Sequence, residues 1–461
     1  MSSATNPLLI KNVDALVSCD DNDSLYHNVD IYIEAGLIKT IARDIDFAPD
    51  TQVINARGCF VYPGLINTHH HFFQAFARNR ADLDWTKLSL IEWLDTIYPI
   101  FARMDEEVVY QASVVSIADL IKHGCTTAFD HMYNYNKHAG SHLVDRQFEA
   151  AELFGMRFVA GRGTNTLPME EGSTIPPAMC EKTTDYLRDC ERLISTFHDP
   201  SHGAMRQVAV APCQIVNCYL DTFVESAALA KQHQVQFHTH LGEGESETLL
   251  QRFGLRGIEL FEKNGILSEN VWLAHGWEFN SEEIKTLASH ASGVSHCPAP
   301  VFLVGDGITP VPEMAARKLK ISLGVDGQAS NDNSNLMECI RLAYLLQCLN
   351  ARHIDYAVPE PYDFLKMATA GGAVCLGRKD IGAIAPGMAA DLFGINMQGL
   401  ENVGCAEDPK SYLAKVGHAQ PTEFTVINGR PVWMNGEFPG LDEHRLFQAA
   451  KSSFDALYRE T

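Results

Sequence analysis

The sequence predicts a (β/α)8 TIM-like barrel carrying a small composite β-sandwich domain built from both termini. Three observations predict it: the element order between residues 60 and 380, the matching β-rich texture of the two ends, and the polar residues that terminate the central strands. A chain of 461 residues is too long for one ordinary core and too short for three full domains. We divide it into an N-terminal part of the β-domain (1–61), a barrel (62–380) and a C-terminal part of the β-domain with a terminal helix (381–461).

In the middle, short apolar runs alternate with helical patterns, as parallel β/α units require. The eight candidate strands are 59–67, 125–132, 157–163, 207–213, 235–241, 271–277, 293–299 and 320–327. Between the first two, VVYQASVVSIADLIKHG places Val108, Ala112, Val115 and Ile121 near one helical face. Asp105, Glu106 and Glu107 sit where negative charge favours a helix start, and Gly124 sits where a helix ends. At the ends of the chain, residues 8–17 and 29–42, and later 391–397 and 422–438, read as antiparallel strands. Asn-Gly pairs at 428–429 and 435–436 supply tight turns for the last of them.

Composition narrows the function. Lysine plus arginine number 36 against 58 acids, a net charge of −22, and a field of that sign repels phosphate backbones and anionic lipid. The expected partner is therefore a small molecule, not nucleic acid or membrane. The twelve cysteines are scattered without a CxxC pair and read as reduced core residues. The start, MSSATNPLLIKNVDALV, shows no signal-peptide pattern, and no apolar run approaches a membrane span, so the expected compartment is the cytoplasm.

Chemistry-bearing residues stand where the barrel has its mouth: His69, His70 and His71 after the first strand, His240 on the fifth, His275 on the sixth and Asp326 on the eighth. His69 and His71, two apart in an extended segment, project to the same side, and His70 points the other way. His-x-His alone is a weak signal, but with His240 and Asp326 on other strands it becomes strong. Three imidazoles and one carboxylate suit zinc or ferrous iron with a position left for water. His238 shares a face with His240 and is its rival, with His240 nearer the mouth. Glu243, just past the fifth strand, suits proton transfer beside an ion, against the alternative of a solvated loop acid. His275 suits a place beside the ion, against that of a packed strand histidine.

PGLINTHHHF (63–72), HTHLGE (238–243), LAHG (273–276) and LGVDGQASND (323–332), in that order, resemble the amidohydrolase superfamily and its mononuclear aminohydrolases, with GAIAPGMAADL (382–392) marking the return of the β-domain. The resemblance implies one divalent metal per chain, zinc or iron, held by His69, His71, His240 and Asp326. It implies that Asp326 takes a proton from water, that His275 orients the nucleophile and that Glu243 protonates a ring nitrogen. Strand four, VAVAPCQ (208–214), lacks the lysine that dinuclear relatives carboxylate, which favours one metal. The resemblance also implies a homo-oligomer, dimer or larger.

More finely, HHHFFQAFAR (69–78), IEWLDTIYPIFARM (91–104), DHMY (130–133), GRGT (161–164) and VDGQASND (325–332) resemble the 8-oxoguanine and isoxanthopterin deaminases. That implies hydrolytic release of ammonia from an oxidised purine or pterin, with Gln74, Trp93 and Arg162 as substrate contacts and Tyr98 as a wall. Trp93 and Tyr98 have helix packing as their alternative, and Arg162 has an ion pair at the barrel rim. One departure bears on the substrate: HCPAPVFL (296–303) has Ala-Pro where this group often shows Ser-Asn. An s-triazine aminohydrolase or dechlorinase is the alternative within the superfamily. A non-catalytic ring-binding barrel is the alternative outside it, and the full set of ligand-type residues speaks against that one.

Overall fold

The computed structural model describes residues 6–80, 84, 88, 90–137 and 139–459. Among the described residues, sixteen strands form two sheets. The first contains β1 (Leu8–Val17), β2 (Leu25–Glu34), β3 (Leu37–Ala42), β4 (Gln52–Asn55) and β5 (Cys59–Pro63) from the N-terminal end. The second, all parallel, contains β6 (Leu65–Asn67), β7 (Cys125–Met132), β8 (Arg157–Arg162), β9 (Arg206–Val210), β10 (Phe237–Leu241), β11 (Val271–His275), β12 (Gly293–His296) and β13 (Lys320–Leu323) in consecutive spatial order. The C-terminal strands β14 (Leu392–Asn396), β15 (Phe424–Ile427) and β16 (Arg430–Met434) return to the first sheet, where β14 pairs antiparallel with β5. Both ends of the chain thus build one β-domain. Its sheet forks at β1, which pairs with β2, β4 and β5 and encloses an apolar core of its own that includes Leu16, Ile31, Ile54, Leu392 and Val426.

The run 59–67, read from sequence as one barrel strand, is two strands in two sheets. The break falls at Gly64, where a Cβ would stand 2.0 Å from Thr126 Oγ1. The residue without a side chain lets the chain step from β5 into β6 against β7. The barrel closes just past the strand ends, where Thr68 N donates to Leu323 O at 3.2 Å and the Thr68 hydroxyl meets those of Ser295 and Ser322.

The helix α1 (Leu90–Phe101) covers the mouth, and α2 (Glu106–Lys122) follows it. Asp105 caps α2 by accepting from Val108 N at 2.9 Å. Val108, Ala112 and Ile121 are buried as their spacing predicts, but Val115 is only half-buried while Val114 and Ile117 are buried. The reason is that α2 lies between the barrel and the C-terminal helix Glu443–Tyr458, so it buries more than one stripe. Gly124, after α2, takes a φ of +77°, and a Cβ there would enter the Phe393 ring. Asn428-Gly429 and Asn435-Gly436 have positive φ at both positions, as their turns require. All twelve cysteines are free thiols. Among the described residues no helix is long and apolar enough to cross a membrane.

Candidate metal centre and active-site cavity

Parallel strands carry their C-terminal ends to one mouth, and there the rings of His69, His71, His131, His240 and His275 gather with Asp326. The backbone fixes which ring nitrogens carry hydrogen. His71 Nδ1 lies 2.9 Å from His131 O, and His240 Nδ1 lies 2.7 Å from Cys213 O. A carbonyl only accepts, so both Nδ1 atoms are protonated and both Nε2 atoms are bare. His69 is set at one remove. His238 Nδ1 donates to Trp272 O at 2.9 Å, which leaves His238 Nε2 to accept from His69 Nδ1 at 2.9 Å, and His69 Nε2 is bare in turn. Burial pushes His69 down to about 3 and His238 and His240 well below the usual histidine range, which keeps these three rings neutral.

The bare nitrogens face each other and a carboxylate. His71 Nε2 and His240 Nε2 are 3.1 Å apart, and Asp326 Oδ1 stands 3.2 Å from His69 Nε2 and 3.3 Å from His71 Nε2. Lone pairs at such distances repel unless a cation lies among them. Ligands about 2.0–2.1 Å from a tetrahedral zinc ion stand about 3.3 Å from one another, close to the spacing of these three pairs. The donor set therefore fits one divalent ion. Asp326 Oδ2 accepts from the Ser330 hydroxyl at 2.7 Å, which aims the carboxylate. Burial alone would raise the Asp326 carboxyl, but the ring nitrogens of His69 and His71 set against its Oδ1 outweigh that and hold it well below the usual range.

Beside this cluster, Glu243 Oε1 lies 3.2 Å from His275 Nε2. Burial first, and then the charges of Asp326, Glu245 and Glu278, push the Glu243 carboxyl well above its ordinary value. A carboxyl raised in this way keeps its proton to higher pH than an ordinary one and suits a proton donor. His275 and Asp326 both have left-handed backbone, with φ of +78° and +65°. A residue with a side chain adopts that conformation at a cost of about 1–3 kcal/mol, a strain that clusters at functional sites.

A cavity opens beside these groups, lined by Gln74, Trp93, Tyr98 and Tyr133 among others, with Leu90, Leu94 and Val304 supplying apolar wall. Trp93 and Tyr98 thus face the cavity from α1, although Trp93 also donates from its indole to Ala329 O at 3.1 Å. Gln74 lines it too, its amide holding Tyr133 OH at 3.2 Å.

Arg162 requires a correction. Its guanidinium donates to both Glu181 carboxylate oxygens at 2.8 Å and to Asp189 at 2.7 Å, and it lies 3.4 Å over the Tyr135 ring. It is absent from the cavity lining among the described residues. The acids of a later segment, remote in sequence, take the donors that the motif reading assigns to a ring carbonyl. Ala299 and Pro300, the departure after strand seven, are buried in the short helix Pro298–Leu303, and only Val304 beyond it reaches the cavity.

The two histidines of strand five stand differently: His240 meets His71, while His238 lies beneath His69 as its hydrogen-bond partner. Sequence reasoning missed His131, whose Nε2 donates to Ala211 O at 2.7 Å and whose ring stacks on His240. It also missed Tyr133, Gln214 and Glu245. The available signals for His131 and Tyr133 are their place in the motif DHMY (130–133) and at the end of the second barrel strand.

A barrel with buried imidazoles and a carboxylate converging at its mouth defines a class of metal-dependent hydrolase. The chain belongs to the amidohydrolase family, whose model matches residues 60–432. It is 55% identical over 448 residues to the hydroxydechloroatrazine ethylaminohydrolase of Pseudomonas sp. (strain ADP), covering 95% of this chain and 93% of that protein. It is 38% identical to the 8-oxoguanine deaminase of Pseudomonas aeruginosa, covering 89% of this chain and 90% of that one. The zinc complex of atrazine chlorohydrolase from Arthrobacter aurescens superposes with a TM-score of 0.91 at 26% identity, covering 97% of this chain and 100% of the other.

Proposed function

We propose that the protein is a zinc-dependent aminohydrolase that replaces an amino or alkylamino group on an oxo-bearing nitrogen heterocycle with hydroxide. The observation that carries the reading is the set of imidazole nitrogens and one carboxylate spaced for a single ion, with the Glu243 carboxyl against His275 beside it in a cavity of aromatic and apolar walls. His69, His71, His240 and Asp326 would hold the metal. When bound, the ion supplies Lewis acidity that brings the pKa of water down toward about 7. Asp326, freed of any proton by its neighbours, accepts one from the attacking water and passes it to the departing amine. Glu243 gives its proton to the ring nitrogen beside the attacked carbon, which prevents charge from building on the ring. His275, between Glu243 and the ligand cluster, orients the nucleophile. Trp93 and Tyr98 bound the ring.

The ethylamino-hydroxytriazine is the first ring to test, because the 55% identical relative is named for that leaving group. The sequence motifs favour oxidised purines and pterins, but the deaminases that support this reading are more distant, at 38% and 30% identity. Release of ethylamine and ammonia from a hydroxylated ethylamino-s-triazine, 8-oxoguanine, isoxanthopterin and adenine by zinc-loaded enzyme decides between them. We expect the triazine to have the highest kcat/KM and adenine the lowest. No release from any ring would refute the reading. Glu243→Gln is expected to keep its zinc and lose about 10²–10⁴ in turnover.

A further inference from the structure

The segment Gly242–Ser246 carries Glu243 and has no strand partner, yet its backbone N–H groups are bound one after another by two carboxylates. Glu245 Oε1 accepts from Gly242 N at 2.6 Å and Glu245 Oε2 from Glu243 N at 2.8 Å. Glu278, arriving from the loop after β11, accepts at one oxygen from Gly244 N at 2.9 Å, Ser246 N at 3.2 Å and the Ser246 hydroxyl at 2.9 Å. The clamp is reciprocal, for Glu278 N donates to Gly242 O at 3.2 Å. Gln214 completes it, its amide lying 3.5 Å from both Glu243 and Glu245.

The loop's shape explains why carboxylates do this work. Gly242 and Gly244 have φ of +73° and +101°, conformations that turn successive N–H groups inward instead of along a strand. A Cβ on Gly242 would strike Phe279 and Gly276, so the turn is also packed against the segment that follows His275. Glu245 is 5% exposed. Two acids placed beside a third repel it, so a merely structural clamp would be better made from amides or hydroxyls. The arrangement fits one in which holding the loop and keeping the Glu243 proton serve the same end.

We propose that Glu245, supported by Glu278, is a positioning residue that fixes the Glu243 carboxyl against His275 and the ring it protonates. The inference rests on the reading of Glu243 as the proton donor. A misplacement of about 1 Å at a reacting group costs on the order of 10²-fold in rate. In zinc-loaded enzyme, Glu245→Ala is therefore expected to lower kcat by about 10²-fold with KM changed less than about threefold. Glu278→Gln, on a less buried acid, is expected to lower kcat by about tenfold. Both should retain zinc.

The deciding test is a cycle with Glu243→Gln, read on ethylamine release from the ethylamino-hydroxytriazine and ammonia release from 8-oxoguanine. If Glu245 acts through Glu243, Glu245→Ala adds little to the loss already caused by Glu243→Gln. Multiplicative losses would overturn the proposal, as would full kcat in Glu245→Ala where Glu243→Gln is impaired. Should Glu243→Gln itself be fully active, the assignment of the proton donor fails instead. Hydrogen exchange supplies an activity-independent check: the amides of Gly242 and Glu243 are expected to be protected in the zinc-loaded protein and to exchange at least about tenfold faster in Glu245→Ala. Unchanged protection would overturn the clamp. If Glu245→Ala fails to fold, Glu278→Gln read at Gly244 and Ser246 tests the clamp in its place, with faster exchange supporting it and unchanged exchange overturning it.

Discussion

The two ends of the barrel treat buried polar groups in opposite ways. At the floor, Arg157 opens β8 fully buried. Its guanidinium donates to both oxygens of Asp391 at 2.8 and 3.0 Å and to the carbonyls of Gly203 and Ala204 at 2.7 Å. Asp391 precedes β14 and also accepts from Asn428 N at 2.7 Å, so this pair ties the barrel to the β-domain with its hydrogen bonds made. At the mouth, the metal-facing ring nitrogens of His69, His71 and His240 are left without hydrogen by what their Nδ1 atoms meet, the His238 ring for His69 and backbone carbonyls for His71 and His240, and are aimed at each other. Burial without partners is expensive. A fold that pairs its buried charges at one end and leaves lone pairs converging at the other gives up stability where a bound ligand restores it.

The largest effect should come from the mouth. In the His69→Ala/His71→Ala variant, two of the three bare nitrogens vanish, and zinc content measured by elemental analysis should fall from about one per chain to near zero, with turnover at the limit of detection. Full zinc retention would break the comparison, since the convergence would then have another purpose. His238→Phe sharpens it one layer down. The ring volume stays, but nothing accepts from His69 Nδ1, so His69 is free to take the tautomer that blocks its metal-facing nitrogen. Partners of this kind are typically worth about 10–100-fold in metal affinity, and competition with a chelator reads the change. Unaltered affinity would mean that packing, not tautomer control, sets His69.

The floor should respond in stability alone. Arg157→Met leaves Asp391 buried and unpaired, a loss of about 3–5 kcal/mol, seen as an earlier denaturation midpoint. The folded fraction should keep its kcat. Adding Asp391→Leu should return part of the stability, because the second change removes the stranded charge. A kcat that falls with Arg157→Met at full zinc content would show that the two ends are not separable.

Much of this contrast is legible in the sequence alone. His69-x-His71 declares a shared face through the strand period, and Asn428-Gly429, Asn435-Gly436 and Asp105 announce turns and a cap through chemistry local to a few residues. What stays hidden depends on distant chain. Residues 59–67 are one apolar run, and only the approach of Thr126 to Gly64 shows where one sheet ends and the other begins. His131 is a lone histidine in a strand until the barrel closes and sets it against His240. Glu245, one of three acids in close succession, looks like solvated loop. It is buried because Gly242 and Glu243 turn their N–H groups toward it, which the spacing of letters does not record.

Arg162 tests the same lesson with the smallest expected effect. As the end of a barrel strand it has the position of a substrate contact, but a donor is available to substrate only if the protein has not already engaged it. Four donated hydrogen bonds go to Asp189, to the two oxygens of Glu181 and to the Gly163 carbonyl, while the Tyr135 ring covers the guanidinium face. Loss of a donor to a ring carbonyl would cost about 1–3 kcal/mol, or roughly 5–150-fold, for the ring that bears the oxygen and little for one that lacks it. Arg162→Met is therefore expected to destabilise the protein by taking the guanidinium away from Glu181, while Asp189 keeps its pair with Arg192, yet to leave the ratio of kcat/KM between 8-oxoguanine and adenine within about threefold of wild type. A selective collapse for the oxo-bearing ring would return Arg162 to the cavity and show that the ion pairs open when substrate binds.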